Sequence, residues 1–202
     1  MKARPAEIIR KDLNNSCILL LRFNINEPHT GKSKNPELIE EQIRANFGDS
    51  FRLVYDEFGK PHLTGGQGFV SLSYCKNWIA IAFSETHEQG VDIEQERQQL
   101  WKIAPRFLNK SEQAELQCSA SQQDYLQLVW GAKEALYKVY GRKKLIFNKN
   151  LSVSGLHPAI AETFTGEILT EAGSRKFRIC WLKPEPGTYL VYVDKELITL
   201  PV

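Results

Sequence analysis

The first half of the chain is dominated by short apolar runs, of which 17–25 is dense in Ile and Leu, whereas apolar and polar positions alternate from residue 69 onwards. Such runs predict strands at 17–25, 51–55, 69–83 and 90–94. Polar residues at 75–77 interrupt the third run, so two strands joined by a turn are expected there. Residues 36–47 instead space their apolar side chains three and four positions apart, which is typical of a helix packed on one face.

The second half of the chain begins with helical patterns and ends with strands. Asn109 followed by Glu112 has the spacing of a capping box and predicts the start of a helix. A longer helix is expected over 122–140, ended by Gly141 in the usual C-terminal cap position. Further strands are predicted at 151–153, 164–169, 177–181 and 189–193.

The order of these elements is strand, helix, strands, followed by helices and again strands. This order predicts the α+β class, with two α/β halves in one chain. We divide the halves at residue 96, giving an N-terminal half of 1–96 and a C-terminal half of 97–202. No similarity between the two halves is visible in the sequence itself.

Composition restricts the functional classes further. The 202 residues include 26 Lys and Arg and 24 Asp and Glu, so the net charge of +2 gives no argument for nucleic acid. No signal peptide is recognisable, and no apolar run approaches the length that spans a bilayer. The four cysteines are too far apart to suggest zinc or a disulfide framework. We therefore expect a cytoplasmic protein with reduced thiols.

Candidate chemistry lies in two segments. On the strand at 90–94, alternation places Asp92 and Glu94 on the same face, where their charges repel unless a cation lies between them. On the long helix, Glu134 and Lys138 are four residues apart, which taken alone describes an ordinary surface ion pair. Taken together, three carboxylates from a strand and a helix, with Lys133 and Lys138 nearby, instead indicate a site that binds Mg²⁺ and phosphate groups.

The two segments resemble the signatures of a known family. Residues 90–94 read G-V-D-I-E, and residues 130–138 read W-G-A-K-E-A-L-Y-K. Together, at this separation, they are similar to the 4′-phosphopantetheinyl transferases, in particular to the larger type with two fused halves. Gly59-Lys60-Pro61 adds a third match, and the hairpin at 69–78 stands where the family carries F-N-I-S-H-S. The resemblance extends over residues 55–141.

The resemblance implies a fold of two pseudo-symmetric α/β halves and a Mg²⁺-dependent reaction. The 4′-phosphopantetheine arm of coenzyme A would pass to a serine of an acyl or peptidyl carrier protein, releasing adenosine 3′,5′-bisphosphate. Mg²⁺ would be held by Asp92, by Glu134 and, directly or through water, by Glu94. Glu134, or a metal-bound water that it positions, would take the proton of the attacking serine.

The resemblance also implies which residues bind coenzyme A. Lys138 would contact the pyrophosphate, and Lys133 and Lys60 the other phosphates, with Pro61 beside them. Arg106 and Lys110 are expected on a surface that favours docking of the acidic carrier protein. Further phosphate contacts are expected from Arg44, Lys32 and Lys34.

The chain departs from the family at residues 73–75. Ser73, Tyr74 and Cys75 stand where the family has Ser-His-Ser, and the histidine of that motif contacts a phosphate of coenzyme A. Tyr74 can donate one hydrogen bond there but cannot carry a positive charge. We therefore expect Ser73 and Tyr74 in the substrate site, with Tyr74 making a weaker contact than histidine would.

Two other functions remain open from the sequence. A non-catalytic module that binds coenzyme A or a carrier protein would retain the fold, and the departure at Tyr74 is its only support. A hydrolase that uses water at the same metal is the second alternative. Among partners we expect coenzyme A and a carrier protein, no nucleic acid and no membrane, and a monomer, because two fused halves complete the site within one chain.

Overall fold

The computed structural model describes residues 4–13, 16–24, 36–142 and 144–197. Over these residues the chain forms three antiparallel sheets and five helices, a mixed α+β architecture. Lys32 and Lys34, which we expected near phosphate, lie outside the described residues, as does the end of the predicted strand at Ile25. No helix in the described ranges is both long and apolar enough to cross a membrane.

The first sheet has four strands in the order β1-β2-β6-β5. Its strands are β1 Glu7–Asp12, β2 Cys17–Arg22, β5 Phe69–Cys75 and β6 Trp78–Ser84. Helix α1, Pro36–Phe47, covers one face of this sheet with the side chains that its three-and-four spacing aligns. Those side chains, Leu38, Ile39 and Ile43, pack into a cluster with apolar residues of β2, β5 and β6.

The second sheet has five strands in the order β7-β11-β10-β9-β8. Its strands are β7 Val91–Gln95, β8 Leu151–Ser154, β9 Thr163–Thr170, β10 Gly173–Glu185 and β11 Thr188–Leu197. Its helices are α2 Leu100–Phe107, α3 Lys110–Cys118, α4 Gln122–Tyr140 and α5 Phe147–Asn150. Helix α4 crosses one face of this sheet, and a large apolar cluster lies between the helices and the strands.

The two larger sheets pack against each other. Ile18 and Leu20 of β2 meet Val91 and Ile93 of β7 in a cluster that also contains the fully buried side chain of Leu190. Burying an aliphatic side chain of this size stabilises a fold by about 1.5–3 kcal/mol. The molecule is therefore layered as helix, sheet, sheet and helices, and β7 lies at the junction of the two sheets.

The remaining sheet is a hairpin formed by β3, Arg52–Tyr55, and β4, Pro61–Thr64. Its turn is fixed by Asp56, whose Oδ1 accepts the amide protons of Phe58 and Lys60. Gly59 has a φ of 83°, a left-handed conformation that costs glycine least. This turn presents Lys60 and Pro61 towards the end of helix α4.

Most predicted elements are confirmed. Helix α1 has the predicted bounds, the hairpin of β5 and β6 turns at Lys76 and Asn77, and Asn109 with Glu112 forms the capping box. Helix α4 ends at Gly141, which has a φ of 69°. The pattern did not predict four elements: β1, β4, α2 and α5.

Strand β7 pairs with a strand from the end of the chain. Strand β7 pairs with β11 from Gln95–Thr188 to Val91–Tyr192, so it belongs to the second sheet although it precedes residue 96. The division of the chain into halves of 1–96 and 97–202 stays a prediction.

Candidate functional site

Strand β7 separates apolar from acidic side chains, as its period of two predicts. Val91 and Ile93 are fully buried between the sheets, whereas Asp92 and Glu94 point to the other face. The side chain of Asp92 is only 5% exposed and that of Glu94 only 16%. Two acidic groups are thus held side by side with little access to water.

Two glycines let helix α4 approach this strand closely. A Cβ atom on Gly90 would lie 2.1 Å from the carbonyl oxygen of Ala135, which is too close for any side chain. A Cβ on Gly131 would lie 2.8 Å from Cγ2 of Val191 and 3.8 Å from Oδ2 of Asp92. Glycine at both positions therefore brings the helix bearing Glu134 against the strand bearing Asp92.

The two oxygens of Asp92 have different surroundings. Oδ1 accepts the hydroxyl proton of Ser73 at 3.0 Å and an ammonium proton of Lys138 at 2.9 Å. Oδ2 is buried and has no hydrogen-bond partner among the described residues. A buried carboxylate oxygen without a partner is costly, so this atom has the properties of a ligand position.

Serine side chains of β5 accept hydrogen bonds from the backbone of β7 along the edge that pairs with no other described strand. The amide of Val91 donates to Ser71 Oγ at 3.1 Å, and the amide of Ile93 donates to Ser73 Oγ at the same distance. The hydroxyls therefore satisfy backbone donors that no neighbouring strand pairs. Because Ser73 also donates to Asp92, the same contact orients the carboxylate.

Glu94 and Glu134 are each electrostatically coupled to Asp92. Burial, and then the charges of Asp92 and Glu134, raise the pKa of Glu94 to about 7, against the opposing effect of Arg97. Burial and the charge of Asp92 likewise raise the pKa of Glu134. Arg97, half exposed, forms an ion pair with Glu94. Three carboxylates thus share one poorly solvated region.

This region has the chemistry of a site for a hard cation. Carboxylate oxygens are the ligands that Mg²⁺ prefers, and Asp92 Oδ2 is unpartnered within the described ranges. Burial is the main cause of the two raised glutamate pKa values, and a cation beside these carboxylates would relieve the repulsion that adds to it. Among the described residues, no group of three or more His, Cys, Asp or Glu side chains is arranged so that it could hold a metal ion.

Lys138 provides the positive charge closest to Asp92. Its ammonium group donates to the carbonyl of Val91 at 2.7 Å and to Oδ1 of Asp92 at 2.9 Å, and its side chain is 27% exposed. The group is therefore fixed at the strand but still reaches solvent.

A cavity of about 270 Å³ opens beside Lys138. The β3–β4 turn and the end of α4 form its walls, and the lining includes Lys60, Pro61, Tyr137 and Arg142. Lys60 donates to Glu88 at 2.6 Å and to the carbonyl of Val139 at 3.1 Å. Sequence reasoning did not identify Arg142; its place directly after the helix cap at Gly141 is the only local signal for it.

Lys133 does not lie in this site, contrary to the expected phosphate contact. Its side chain is fully buried and donates to Glu112 Oε2 at 2.6 Å and to the carbonyls of Phe107 and Phe147 at 2.7 and 3.1 Å. All three ammonium protons are used within the protein. Lys133 points away because residues one position apart on a helix differ by about 100° around the axis, so it faces α2 and α3 while Glu134 faces β7.

The substrate contacts expected from β5 are also placed differently. Ser73 is 6% exposed, and its hydroxyl is used by Asp92 and the amide of Ile93. Tyr74 lies on the opposite face of the strand, packed against the cluster under α1. Burial and the neighbouring hydroxyl of Tyr55 raise the pKa of Tyr74. The structure does not bring Tyr74 to the carboxylates.

Comparison with known proteins identifies the family of the chain. The family model of the 4′-phosphopantetheinyl transferase superfamily matches residues 88–191. The chain therefore belongs to the 4′-phosphopantetheinyl transferase superfamily, and it is a transferase of that kind. The matched region contains Asp92, Glu94, Glu134 and Lys138, whereas Lys60 precedes it. A search of curated proteins found no match to the chain.

Proposed function

We propose that the protein transfers the 4′-phosphopantetheine arm of coenzyme A to a serine hydroxyl of an acyl or peptidyl carrier protein, as a holo-carrier-protein synthase. The observation that carries this proposal is the unpartnered Oδ2 of Asp92, buried beside two glutamates whose pKa values are raised. A cavity of about 270 Å³, whose lining includes Lys60, Lys138 and Arg142, opens next to it.

Asp92, Glu134 and Glu94 are the residues that would hold Mg²⁺. When bound, the ion would supply charge stabilisation for the phosphoryl group and its leaving group. The donor set supports this assignment, because it consists of hard carboxylate oxygens in a region that lacks a compensating charge on Oδ2.

Cationic side chains of the cavity would bind the phosphates of coenzyme A. Lys138 is placed for the pyrophosphate, since it lies at Asp92 and remains partly exposed. Lys60 and Arg142 line the outer part of the cavity, with Pro61 in its wall. Lys60 would exchange its contact with Glu88 for a phosphate, and Arg142 is exposed and has no ion pair among the described residues.

Glu134 would act as the general base. Its raised pKa suits a group that accepts a proton near neutral pH. The serine oxygen forms a bond to the phosphorus on the pantetheine side of the pyrophosphate, and its proton passes to Glu134. The bond from that phosphorus to the bridging oxygen breaks, and adenosine 3′,5′-bisphosphate leaves with the electron pair.

The same proposal extends to the arrangement of the two halves, the oligomeric state and the cellular location of the protein. The two layered units would be the pseudo-symmetric halves of the larger transferase type, each with an antiparallel sheet covered by a long helix. A single chain contains every proposed site residue, which supports a monomer. All four cysteines are free thiols, which supports a reducing, cytoplasmic setting.

The test is to incubate the protein with coenzyme A, Mg²⁺ and an apo-carrier protein and to measure the intact mass of the carrier. We expect a mass gain of one phosphopantetheine group, and no gain when excess chelator is present. Binding of coenzyme A with no mass change of any apo-carrier would contradict the proposal and favour the non-catalytic module.

A further inference from the structure

The carboxylate site contains a second cation besides Lys138. Arg97 lies two residues beyond the end of β7, and its guanidinium forms an ion pair with Oε2 of Glu94. That oxygen is buried and accepts no hydrogen bond among the described residues, so the contact joins two charges without hydrogen-bond geometry. The proposed ligand Glu94 is therefore already neutralised by the protein itself.

The backbone of Arg97 is fixed, although its side chain is half exposed. Its amide donates to Oε1 of Gln127 at 3.1 Å, and Gln127 is only 1% exposed on α4. Its carbonyl accepts from the amide of Leu100 at 3.2 Å, at the start of α2. The side chain, by contrast, is 50% exposed. The guanidinium can therefore leave Glu94 while the backbone stays in place.

Lys138 is held more firmly than Arg97. Its ammonium group donates two hydrogen bonds, to the carbonyl of Val91 and to Asp92, and its side chain is 27% exposed. The guanidinium of Arg97 donates no hydrogen bond to any residue that the structure describes. Hydrogen bonds between charged groups are stronger than an exposed ion pair without them. Of the two cations, Arg97 is thus the one that an incoming ion would displace.

The charges of the site favour such an exchange. When ionised, Asp92, Glu94 and Glu134 carry three negative charges, against the two positive charges of Lys138 and Arg97. A divalent ion beside all of these groups would leave an excess positive charge in a poorly solvated region, which is unfavourable. Departure of Arg97 would instead leave the remaining groups and the ion neutral as a whole.

We infer that Arg97 is an exchangeable counterion of the carboxylate site: it pairs with Glu94 in the free protein and gives up this oxygen when a divalent cation binds. The inference rests on the proposed function, in which Glu94 helps to hold Mg²⁺. Because the cation must displace Arg97, the free protein binds the ion more weakly than the same carboxylates would without the guanidinium. Arg97 is thus a residue that sets the cation affinity of the transferase.

A purely structural role for Arg97 makes the opposite prediction. If the ion pair only held Glu94 in position, its removal would leave the carboxylate misplaced and weaken the binding of a cation. Removal of an exchangeable counterion would instead strengthen the binding. The direction of the change in cation affinity therefore distinguishes the two roles, and a partly misfolded variant would not imitate a gain in affinity.

The experiment measures the binding of Mn²⁺, a divalent ion that suits carboxylate ligands and whose free form gives an electron paramagnetic resonance signal. Coenzyme A and carrier protein are left out. Wild type is compared with Arg97→Gln, with the charge-conserving Arg97→Lys and with the control Arg10→Gln. Arg10 is also an exposed arginine paired with a carboxylate, Asp12 at 2.8 Å, and its side chain is 43% exposed. Each variant is checked for a cooperative thermal transition.

Arg97→Gln is expected to bind Mn²⁺ about tenfold more tightly than wild type, because a nearby opposite charge shifts an ionic equilibrium by roughly ten- to a thousandfold. Arg97→Lys keeps the charge and should stay close to wild type. Arg10→Gln changes the net charge equally and should not alter the affinity. Equal or weaker binding by Arg97→Gln, or the same gain in Arg97→Lys or Arg10→Gln, would overturn the inference.

A further variant tests the atom at which the exchange occurs. In a protein that already carries Glu94→Gln, Arg97→Gln should no longer tighten Mn²⁺ binding, because the charged oxygen that is exchanged is absent. A gain that persists in this double variant would overturn the exchange at Glu94.

Transfer to an apo-carrier protein, assayed with wild type and Arg97→Gln, separates this inference from the proposed function. Active wild type with an unchanged Mn²⁺ affinity in Arg97→Gln would reject the counterion role alone. A gain in Mn²⁺ affinity without any transfer would support the counterion role and reject the transfer reaction. Absence of Mn²⁺ binding by wild type and every variant would overturn both.

Discussion

At the scale of single residues, Asp92 shows how the site balances charge. One oxygen is neutralised by Lys138 and oriented by Ser73, while the other is buried without a partner in the described chain. Burial, and after it the charge of Asp92, raises the pKa of both Glu94 and Glu134. In the proposed site, the affinity for a cation would come from this cluster of poorly solvated carboxylates.

The raised pKa of Glu94 predicts a specific dependence of stability on pH. In the unfolded chain Glu94 loses its proton near its ordinary pKa of 4.5, but in the folded protein it does so at about 7. Between these values the folded state binds more protons, so its stability falls as pH rises through this window. Glu94→Gln removes this unfavourable contribution of the ionised carboxylate. The variant is expected to be more stable than wild type at pH about 8, and its stability should vary less with pH.

The measurement is the thermal midpoint at several pH values in the presence of chelator. Glu41→Gln on the exposed side of α1 is the control and should follow the wild-type profile. A Glu94→Gln protein that is less stable than wild type at high pH would contradict the electrostatic account of the site.

At the scale of elements, a buried ion pair holds the helices around α4. Glu112 accepts from the backbone of Asn109 as a capping box, from the amide of Val153 in β8, and from Lys133. Neither side chain of the pair is exposed. The pair therefore connects α3, α4 and β8 and fixes the orientation in which α4 presents Glu134.

Lys133→Met is expected to destabilise the protein by about 3–5 kcal/mol, because it leaves the buried charge of Glu112 uncompensated. The exposed Lys110→Met, as the matched control, should change the free energy of unfolding by no more than about 0.5 kcal/mol. Denaturant unfolding measures both. A Lys133→Met protein of wild-type stability with a raised KM for coenzyme A would favour the phosphate contact expected from the sequence.

The same elements show which features a sequence can predict. The carboxylate face of β7 and the ends of α4 follow from local periodicity and capping, which depend on neighbours in sequence. The role of Lys133 depends on Glu112, 21 residues away, and on carbonyls of α2 and α5. Helix α2 was missed because it is short and contains Pro105, which disfavours a helical prediction.

At the scale of the whole molecule, the site is assembled where two sheets meet. Strand β7 pairs with β11 on one side, and on the other side Ser71 and Ser73 of β5 accept its amide protons. Arg22 and Trp78 of the first sheet also hold Glu185 of the second, each at 3.0 Å. The strand that carries Asp92 and Glu94 is thereby fixed by contacts with both larger sheets.

The measurement that tests the central claim most directly is single-turnover transfer by three proteins in parallel. Wild type, Glu134→Gln and the control Glu41→Gln are each mixed in excess with coenzyme A, Mg²⁺ and an apo-carrier protein, and the carrier is followed by intact mass. Wild type and the control should convert the carrier completely, and Glu134→Gln should leave it unmodified over the same time. Conversion by Glu134→Gln at the wild-type rate would contradict the account.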